Sequence, residues 1–356
     1  MALDVIHTPS TRPAIPIRPL DEDALAAAAA RQEQLIKPAG SLGRLEDLAV
    51  WLAGCTGTER PVVRARVIVA AADHGVAGEG VSAYPPEVTA QMLAAFCSGR
   101  GAVAVLARET GAELQLVDAG VAGPVPDDPS IVRVGLPAPS RNLAVEPALT
   151  AAEVALAVDA GRDLAAAAAR DDVTVVVGGE MGIGNTTPAT CLAAALTGRD
   201  PAGLVGPGTG LDAEGLERKR AVVERALALH GPDLRGPLSA LRRLGGGEIA
   251  VLCGLALGAG EHGLAFVCDG VIATAAAAVA VGVEPDLRPR LLAGHRSPEP
   301  AHDALLDHLD LDPVLDLGMR LGEASGATAA LAVLKLACAL HGGMATFAEA
   351  GVAGPS

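Results

Sequence analysis

Aromatic residues are nearly missing from this chain of 356 residues: Trp51, Tyr84, Phe96, Phe266 and Phe347 are the whole set. A large core therefore has to be packed from small aliphatic side chains. With 50% of the residues hydrophobic, the chain has enough of them for one large domain, with or without a small one. Positive charge is scarce as well, and the formal net charge is −15 at pH 7. That balance excludes the basic footprint of a nucleic-acid binder and docking on anionic lipid. The six cysteines, Cys55, Cys97, Cys191, Cys253, Cys268 and Cys338, form no C-x-x-C pair and no cluster with histidine at metal-ligand spacing. They read as reduced, mostly buried thiols, and no metal is expected. The N-terminus lacks the apolar core of a signal peptide. The longest apolar stretch, Val271 to Val283, reads as too short to span a bilayer. A soluble cytoplasmic protein is expected, with no membrane and no nucleic-acid partner.

The proline-rich first twenty residues look like an extended arm. Asp21 to Lys37 reads as a helix with Asp21 near its N-cap, and Arg44 to Leu52 as a second helix. The pattern then changes to short apolar runs that end in polar or glycine-rich loops. These are Ala65–Gly75, Ala112–Val121, Val173–Glu180, Gly263–Gly270 and Leu287–Ser297, and helical segments such as Ala151–Arg170 and Ala213–His230 lie between them. Near-continuous apolar strands alternating with helices imply an α/β fold, a Rossmann-like parallel sheet with helices on both faces. Ligand sites of such sheets lie at the carboxyl ends of the strands. That would bring Asp73, Glu180, Asp269 and Ser297 toward one crevice. Helices return beyond His302. Three segments are expected: 1–60 as an arm and helices, 61–301 as the large domain, and 302–356 as helices that build a small domain with the first segment.

The stretch "VVVGGEMGIGNTTPAT", Val175 to Thr190, rises into a loop with four glycines. Such a loop leading into a helix suits an anion, and a tight strand-to-helix turn explains it equally well. Glu180 in its middle would repel phosphate and needs another reason. "GPGTGLD", Gly206 to Asp212, is a second glycine loop, or a helix lead-in with Asp212 as N-cap. Neither glycine loop matches G-x-x-x-x-G-K-[ST] or G-x-G-x-x-G. Lys219 by itself reads as a solvated helix-face residue. His74 after the first strand suggests a base or a metal ligand, although a hydrogen-bonded structural histidine is commoner. Glu323, before the helix that starts near Gly326, reads by position alone as a capping carboxylate.

In chain order, "KPAGSLGRLE", "ADHGVAGEGVSAYPPEVTAQM", "GGEMGIGNTTPA", "GTGLD", "GGGEIA", "DGVIATAAA", "HRSPE", "LGMRLGEASGA" and "MATFAEAGV" resemble the nicotinate-nucleotide–dimethylbenzimidazole phosphoribosyltransferase family. The set runs from Lys37 to Val352 and is specific as an ordered set. Ala324 stands where the family often has glycine, and Ala301 interrupts the usual glycine before His302. The resemblance implies transfer of phosphoribose from nicotinate mononucleotide to 5,6-dimethylbenzimidazole, no cofactor, a small helical domain and a homodimer. It makes Glu323 the catalytic base and Glu180 a second active-site carboxylate. Phosphate and nucleotide contacts would come from Gly182, Gly184, Asn185 and Thr186, from Gly208, Thr209 and Gly210, and from Asp269 and Ser297. Tyr84, Gln91, Met92, Lys219 and Leu321 would frame the base pocket. Two rivals stand beside this reading. A dinucleotide-dependent oxidoreductase is disfavoured because neither glycine loop at a strand end carries G-x-G-x-x-G. A non-catalytic nucleotide carrier would leave Glu180 and Glu323 without a task.

Overall fold

The computed structural model describes residues 15–354, so most of the expected arm lies outside the described residues. Two helices open the fold, α1 (Glu22–Gln34) and α2 (Arg44–Thr56). Asp21 caps α1, its carboxylate accepting from the Ala24 amide at 2.8 Å. Strand β1 (Ala65–Ala71) is followed by α3 (Val88–Cys97), α4 (Ala102–Thr110), β2 (Glu113–Asp118) and β3 (Ile131–Arg133). The middle of the chain supplies α5 (Ala151–Arg170), β4 (Val175–Met181), α6 (Thr186–Thr197), α7 (Ala213–His230), α8 (Pro237–Leu244) and α9 (Gly247–His262). Then come β5 (Ala265–Cys268), α10 (Val271–Val283), β6 (Leu291–Ala293), α11 (Pro300–Leu309), α12 (Ser325–Gly343) and α13 (Phe347–Ala350).

The six strands form one parallel sheet in the order β3-β2-β1-β4-β5-β6. Chain order reverses between β1 and β4, and a crevice opens at such a switch point. The central strands are buried on both faces, which is why they read as unbroken apolar runs. On one face the core joins the strands to α5, α6, α9, α10 and α11. On the other it joins them to α2, α3, α4 and α12. The N- and C-terminal segments meet through side chains: Arg31 Nε donates to the His341 carbonyl at 2.8 Å, and its Nη2 to that of Met344 at 2.9 Å. Helix α11 packs against α6 and α10, so the segment that begins at 302 opens with a helix of the sheet layer.

Three expectations need correction. Strand β6 is only three residues long, because Pro285–Arg290 forms a 3-10 turn whose buried Arg290 binds the carbonyls of Arg18, Pro19 and Cys55. Strand β3 adds a sixth strand that the apolar runs do not announce, because only Ile131 of its three residues is buried. Val271–Val283 is not the longest apolar stretch: Val88–Thr110 and Ser325–Gly343 are long and apolar enough to cross a membrane by length and composition. The first of these is broken into α3 and α4 at Ser98–Gly101. The second, α12, seats its apolar side against the sheet.

Helix α5 crosses α9 at glycines on both partners. A Cβ at Gly161 would stand 2.1 Å from the Val251 carbonyl oxygen, and one at Gly254 would stand 2.0 Å from that of Val158. The obstacle is backbone, which cannot swing aside. Gly254→Ala is expected to destabilise the fold by about 1–3 kcal/mol and to lower the melting temperature by several degrees. Gly343→Ala, whose Cβ would meet open space, should leave it nearly unchanged. Equal melting curves for the two variants would refute the contact.

Candidate active site

A cavity of about 100 Å³ opens at the carboxyl ends of the strands. Glu180, Gly182, Asn185 and Thr186 reach it from the end of β4 and the start of α6. Gly208 and Thr209 come from the second glycine loop, and Gly270 to Ile272 from the loop after β5. His295, Ser297 and Glu299 follow β6, and Arg320, Leu321 and Gly322 precede α12.

Glu180 is buried at the end of β4, where Asn185 Nδ2 donates to its Oε2. Gly322 stands against the other oxygen, for a Cβ there would lie 2.5 Å from Glu180 Oε1. Burial pushes the Glu180 carboxyl up to about 8; the Asn185 bond opposes this, while the charges of Glu248, Asp269 and Glu323 add to it. The Glu323 amide donates to the Glu180 carbonyl at 3.2 Å. Glu323 and Ala324 both have φ of +60°, and this double left-handed turn leaves Glu323 Oε2 buried without a partner. Burial, then the charge of Asp269, pushes Glu323 up to about 7 against the pull of the Val103 and Ala102 amides. The reading of Glu323 as a cap fails: Ala324 is the N-cap of α12, which has no side-chain cap bond. The structure thus holds two neighbouring carboxyls poised near neutral pH, as acid–base chemistry requires.

The other side of the cavity is a network of donors. Lys219 is fully buried, which corrects its reading as a surface residue and sets it beside the glycine loop rather than in a base pocket. Its Nζ donates to Thr186 Oγ1 at 2.8 Å and to the Gly206 carbonyl at 2.9 Å. Burial depresses it to about 8, although Glu299 and Cys191 favour its charge. Glu299 Oε1 accepts from the Gly208 amide at 2.9 Å. Sequence reasoning missed Glu299 and His295, whose one signal was the "HRSPE" stretch, and His302, which lies just after it. His302 Nδ1 accepts from the Ser297 amide at 2.9 Å, and its Nε2 lies 3.0 Å from Thr274 Oγ1, which donates to the Gly270 carbonyl. Burial, with His295 nearby, pushes His302 down to about 3, so it is neutral with its proton on Nε2. One buried ring thereby fixes the loops after β5 and β6 to each other.

Of the expected contacts, Glu180, Gly182, Asn185, Thr186, Gly208, Thr209, Ser297 and Leu321 line the cavity. Gly184 and Gly210 shape turns beside it, with φ of +89° and +107°. Asp269 lies behind the wall, where its Oδ1 accepts from the Ala327 amide at 2.8 Å and stands 3.6 Å from His295 Nε2. Tyr84, Gln91 and Met92 do not line the cavity. Gln91 faces solvent, and Met92 packs on the apolar core beneath α3. Tyr84 is 54% exposed, on a loop whose Ala83 amide donates to Thr209 Oγ1 at 3.4 Å. Asp73 also stays outside, accepting from the Ala122 amide. His74 is a structural histidine: its Nε2 lies 2.7 Å from Glu248 Oε1, and both side chains are buried.

The buried carboxyl makes stability depend on pH. Glu180 holds its proton in the folded chain up to about 8, whereas in the unfolded chain it ionises in the ordinary carboxylate range. Between those values only the folded state carries the proton, so rising pH favours unfolding. Glu180→Gln retains an acceptor for Asn185 and removes the titration. Its melting temperature should fall less than that of the parent between about pH 5 and pH 8; Glu323 keeps part of the slope. Parallel curves would show that Glu180 titrates normally.

The match to known proteins spans nearly the whole chain. A family model described as "Phosphoribosyltransferase" matches residues 17–352. A nicotinate-nucleotide–dimethylbenzimidazole phosphoribosyltransferase of Xanthomonas axonopodis pv. citri is 54% identical over 327 residues, 92% of this chain and 94% of that protein. One of Azotobacter vinelandii is 53% identical over 338 residues, 94% of this chain and 96% of that protein. The crystal structure of CobT from Thermus thermophilus superposes with a TM-score of 0.89 at 44% identity, covering 94% of this chain and all of that one. With ordered motifs, sheet order and these relatives in agreement, the chain belongs to the nicotinate-nucleotide–dimethylbenzimidazole phosphoribosyltransferase family.

Proposed function

We propose that this cavity transfers the phosphoribosyl group of nicotinate mononucleotide to 5,6-dimethylbenzimidazole, giving α-ribazole 5′-phosphate and nicotinate with inversion at C1′. The observation that carries the reading is a pair of neighbouring buried carboxyls: Glu180, near 8, lines the cavity together with residues of two glycine loops, and Glu323, near 7, lies directly behind Gly322 of the lining. Gly182, Gly208 and Ser297 take the phosphate. The benzimidazole nitrogen attacks C1′ from the face opposite the pyridine. The C1′–N bond breaks and its electron pair returns to the pyridine nitrogen, which leaves neutral, so no general acid is needed. Glu323 accepts the proton from the other benzimidazole nitrogen, and Glu180 faces the positive charge that develops on the sugar. The donor is a monophosphate and no pyrophosphate leaves, so the chemistry asks for no metal.

The acceptor side is open. Leu321 is 58% exposed, and Leu317 on the same loop is 66% exposed. That apolar surface supports a homodimer in which a second copy covers it. The acidic chain and its unpaired cysteines fit a cytoplasmic enzyme.

Incubation with nicotinate mononucleotide and dimethylbenzimidazole, followed by assay of free nicotinate, tests the reaction directly. Glu323→Gln keeps shape and cannot act as a base. It should lower kcat by about 10²–10⁴-fold with substrate binding and melting temperature nearly retained. Near-normal turnover would remove Glu323 from the mechanism, and a larger loss in Glu180→Gln would move the base role there. Gly208→Val places a side chain where the phosphate would sit, against Thr186 Oγ1 and Lys219 Nζ, and Ser297→Ala deletes a donor. Both should raise KM for the nucleotide more than for the base. An unchanged nucleotide KM in both variants would contradict the phosphate assignment.

A further inference from the structure

Arg320 lines the cavity as an exposed side chain, and among the described residues its guanidinium has neither a hydrogen bond nor an ion pair. It stands between Gly318 and Gly322, whose φ values of +66° and +82° bend the segment over the cavity mouth. Acids are close at hand, since Glu180 and Glu299 line the same space. Each is engaged elsewhere: Glu180 holds Asn185, and Glu299 holds the Gly208 amide. The arginine is therefore an exposed cation without a protein partner on the rim of a cavity lined also by Glu180, Glu299 and His295, in a chain of net charge −15.

The donor proposed above carries two anionic groups, the 5′-phosphate and the carboxylate on the pyridine ring. The first has a partner set in the glycine loops, with Lys219 Nζ beside Gly206 and Thr186. The second belongs to the far end of the nucleotide and has no counterpart in that loop. Arg320 sits on another wall of the cavity, next in sequence to Leu321, which lines the same space with an apolar side chain. A planar guanidinium beside an apolar surface is suited to an aromatic carboxylate. We propose that Arg320 is a specificity-determining residue that binds the carboxylate of the nicotinate ring and so separates nicotinate mononucleotide from its amide counterpart, nicotinamide mononucleotide. The proposal rests on the phosphoribosyl-transfer reading. In the reaction, the electron pair of the C1′–N bond passes to the ring nitrogen, the ring changes from zwitterion to anion, and the guanidinium offsets the remaining negative charge.

The test compares Arg320→Gln and Arg320→Lys with the parent, using the two nucleotides as alternative donors and dimethylbenzimidazole as acceptor. With nicotinate mononucleotide, kcat/KM should fall about 10–100-fold in Arg320→Gln, the loss expected for one charged hydrogen-bonding partner. With nicotinamide mononucleotide it should stay nearly constant, so the preference between donors collapses. Arg320→Lys should lie between, because lysine offers a point charge and no fork. Inhibition by free nicotinate should weaken by the same factor, and inhibition by α-ribazole 5′-phosphate should not. Equal losses with both donors would assign Arg320 to the phosphate or to the fold and overturn the proposal, as would no loss with either. If the parent transfers from neither donor, the reaction itself is wrong. Calorimetric titration of nicotinate against nicotinamide then still decides whether Arg320 reads the carboxylate.

Discussion

The end of β4 and the loop before α12 touch backbone to backbone, and the site depends on that contact. A Cβ at Gly179 would fall 2.2 Å from the Ala324 Cβ and 2.5 Å from its amide nitrogen, so the strand needs glycine there. The Glu323 amide bonds to the Glu180 carbonyl across the same gap. To fit, Glu323 and Ala324 take successive left-handed conformations, each costing about 1–2 kcal/mol for a residue with a side chain. The apolar side of α12, through Ala327, Leu331 and Leu334, anchors the helix in the core and holds the turn in place. This strained turn carries Glu323 to Glu180, sets Gly322 against the Glu180 carboxyl, and brings Arg320 and Leu321 to the cavity.

The same contact crowds acids together. Glu180 feels Glu248, Asp269 and Glu323. Histidines stand beside the first two, His74 at 2.7 Å from Glu248 and His295 at 3.6 Å from Asp269. Glu180 and Glu323 answer burial and mutual repulsion by keeping their protons near neutral pH. On the proposed reaction the donor enters with a cationic pyridinium, and the sugar becomes more cationic in the transition state. Both charges favour ionisation of the carboxyls at the place where they are needed, so deprotonation is linked to occupancy. A carboxylate that is worth more beside the transition state than beside water is the condition for catalysis by differential binding.

Much of this was legible in the sequence, for identifiable reasons. Strands β1, β4 and β5 show as apolar runs because both faces are buried, and Asp21 and Asp212 mark helix starts because each accepts from an amide in its own first turn. Glu180 stands out because a charge in a glycine loop has no packing role, whereas Glu323 reads by position as a cap and is singled out by the family resemblance. What stayed hidden depends on distance along the chain. Lys219 lies among charged neighbours in "LERKRAVV", and only the approach of Gly206 and Thr186 makes it a buried donor. His302 looks like any residue in the first turns of a helix until Ser297 and Thr274 are seen on its two nitrogens. Tyr84, Gln91 and Met92 were expected in the base pocket, and the single chain leaves them outside the cavity wall.

An acid inside an anion-binding loop is a contradiction only if the acid is charged. The amides of the first loop follow Glu180 in sequence, while its carboxyl is held within the site, one oxygen by Asn185 and one against Gly322. With its proton retained up to about 8 it presents no full negative charge to a phosphate on the glycine side. It gains that charge when a cation arrives on its own side. The nucleotide carries both partners, phosphate at one end and pyridinium at the other, and one substrate satisfies loop and carboxyl together. A free phosphate would satisfy only the loop, and a pyridinium nucleoside without phosphate only the carboxyl. On the proposed reading, discrimination at this site is set by a carboxyl whose ionisation depends on what lies beside it, and by loops that take the phosphate at the other end of the nucleotide.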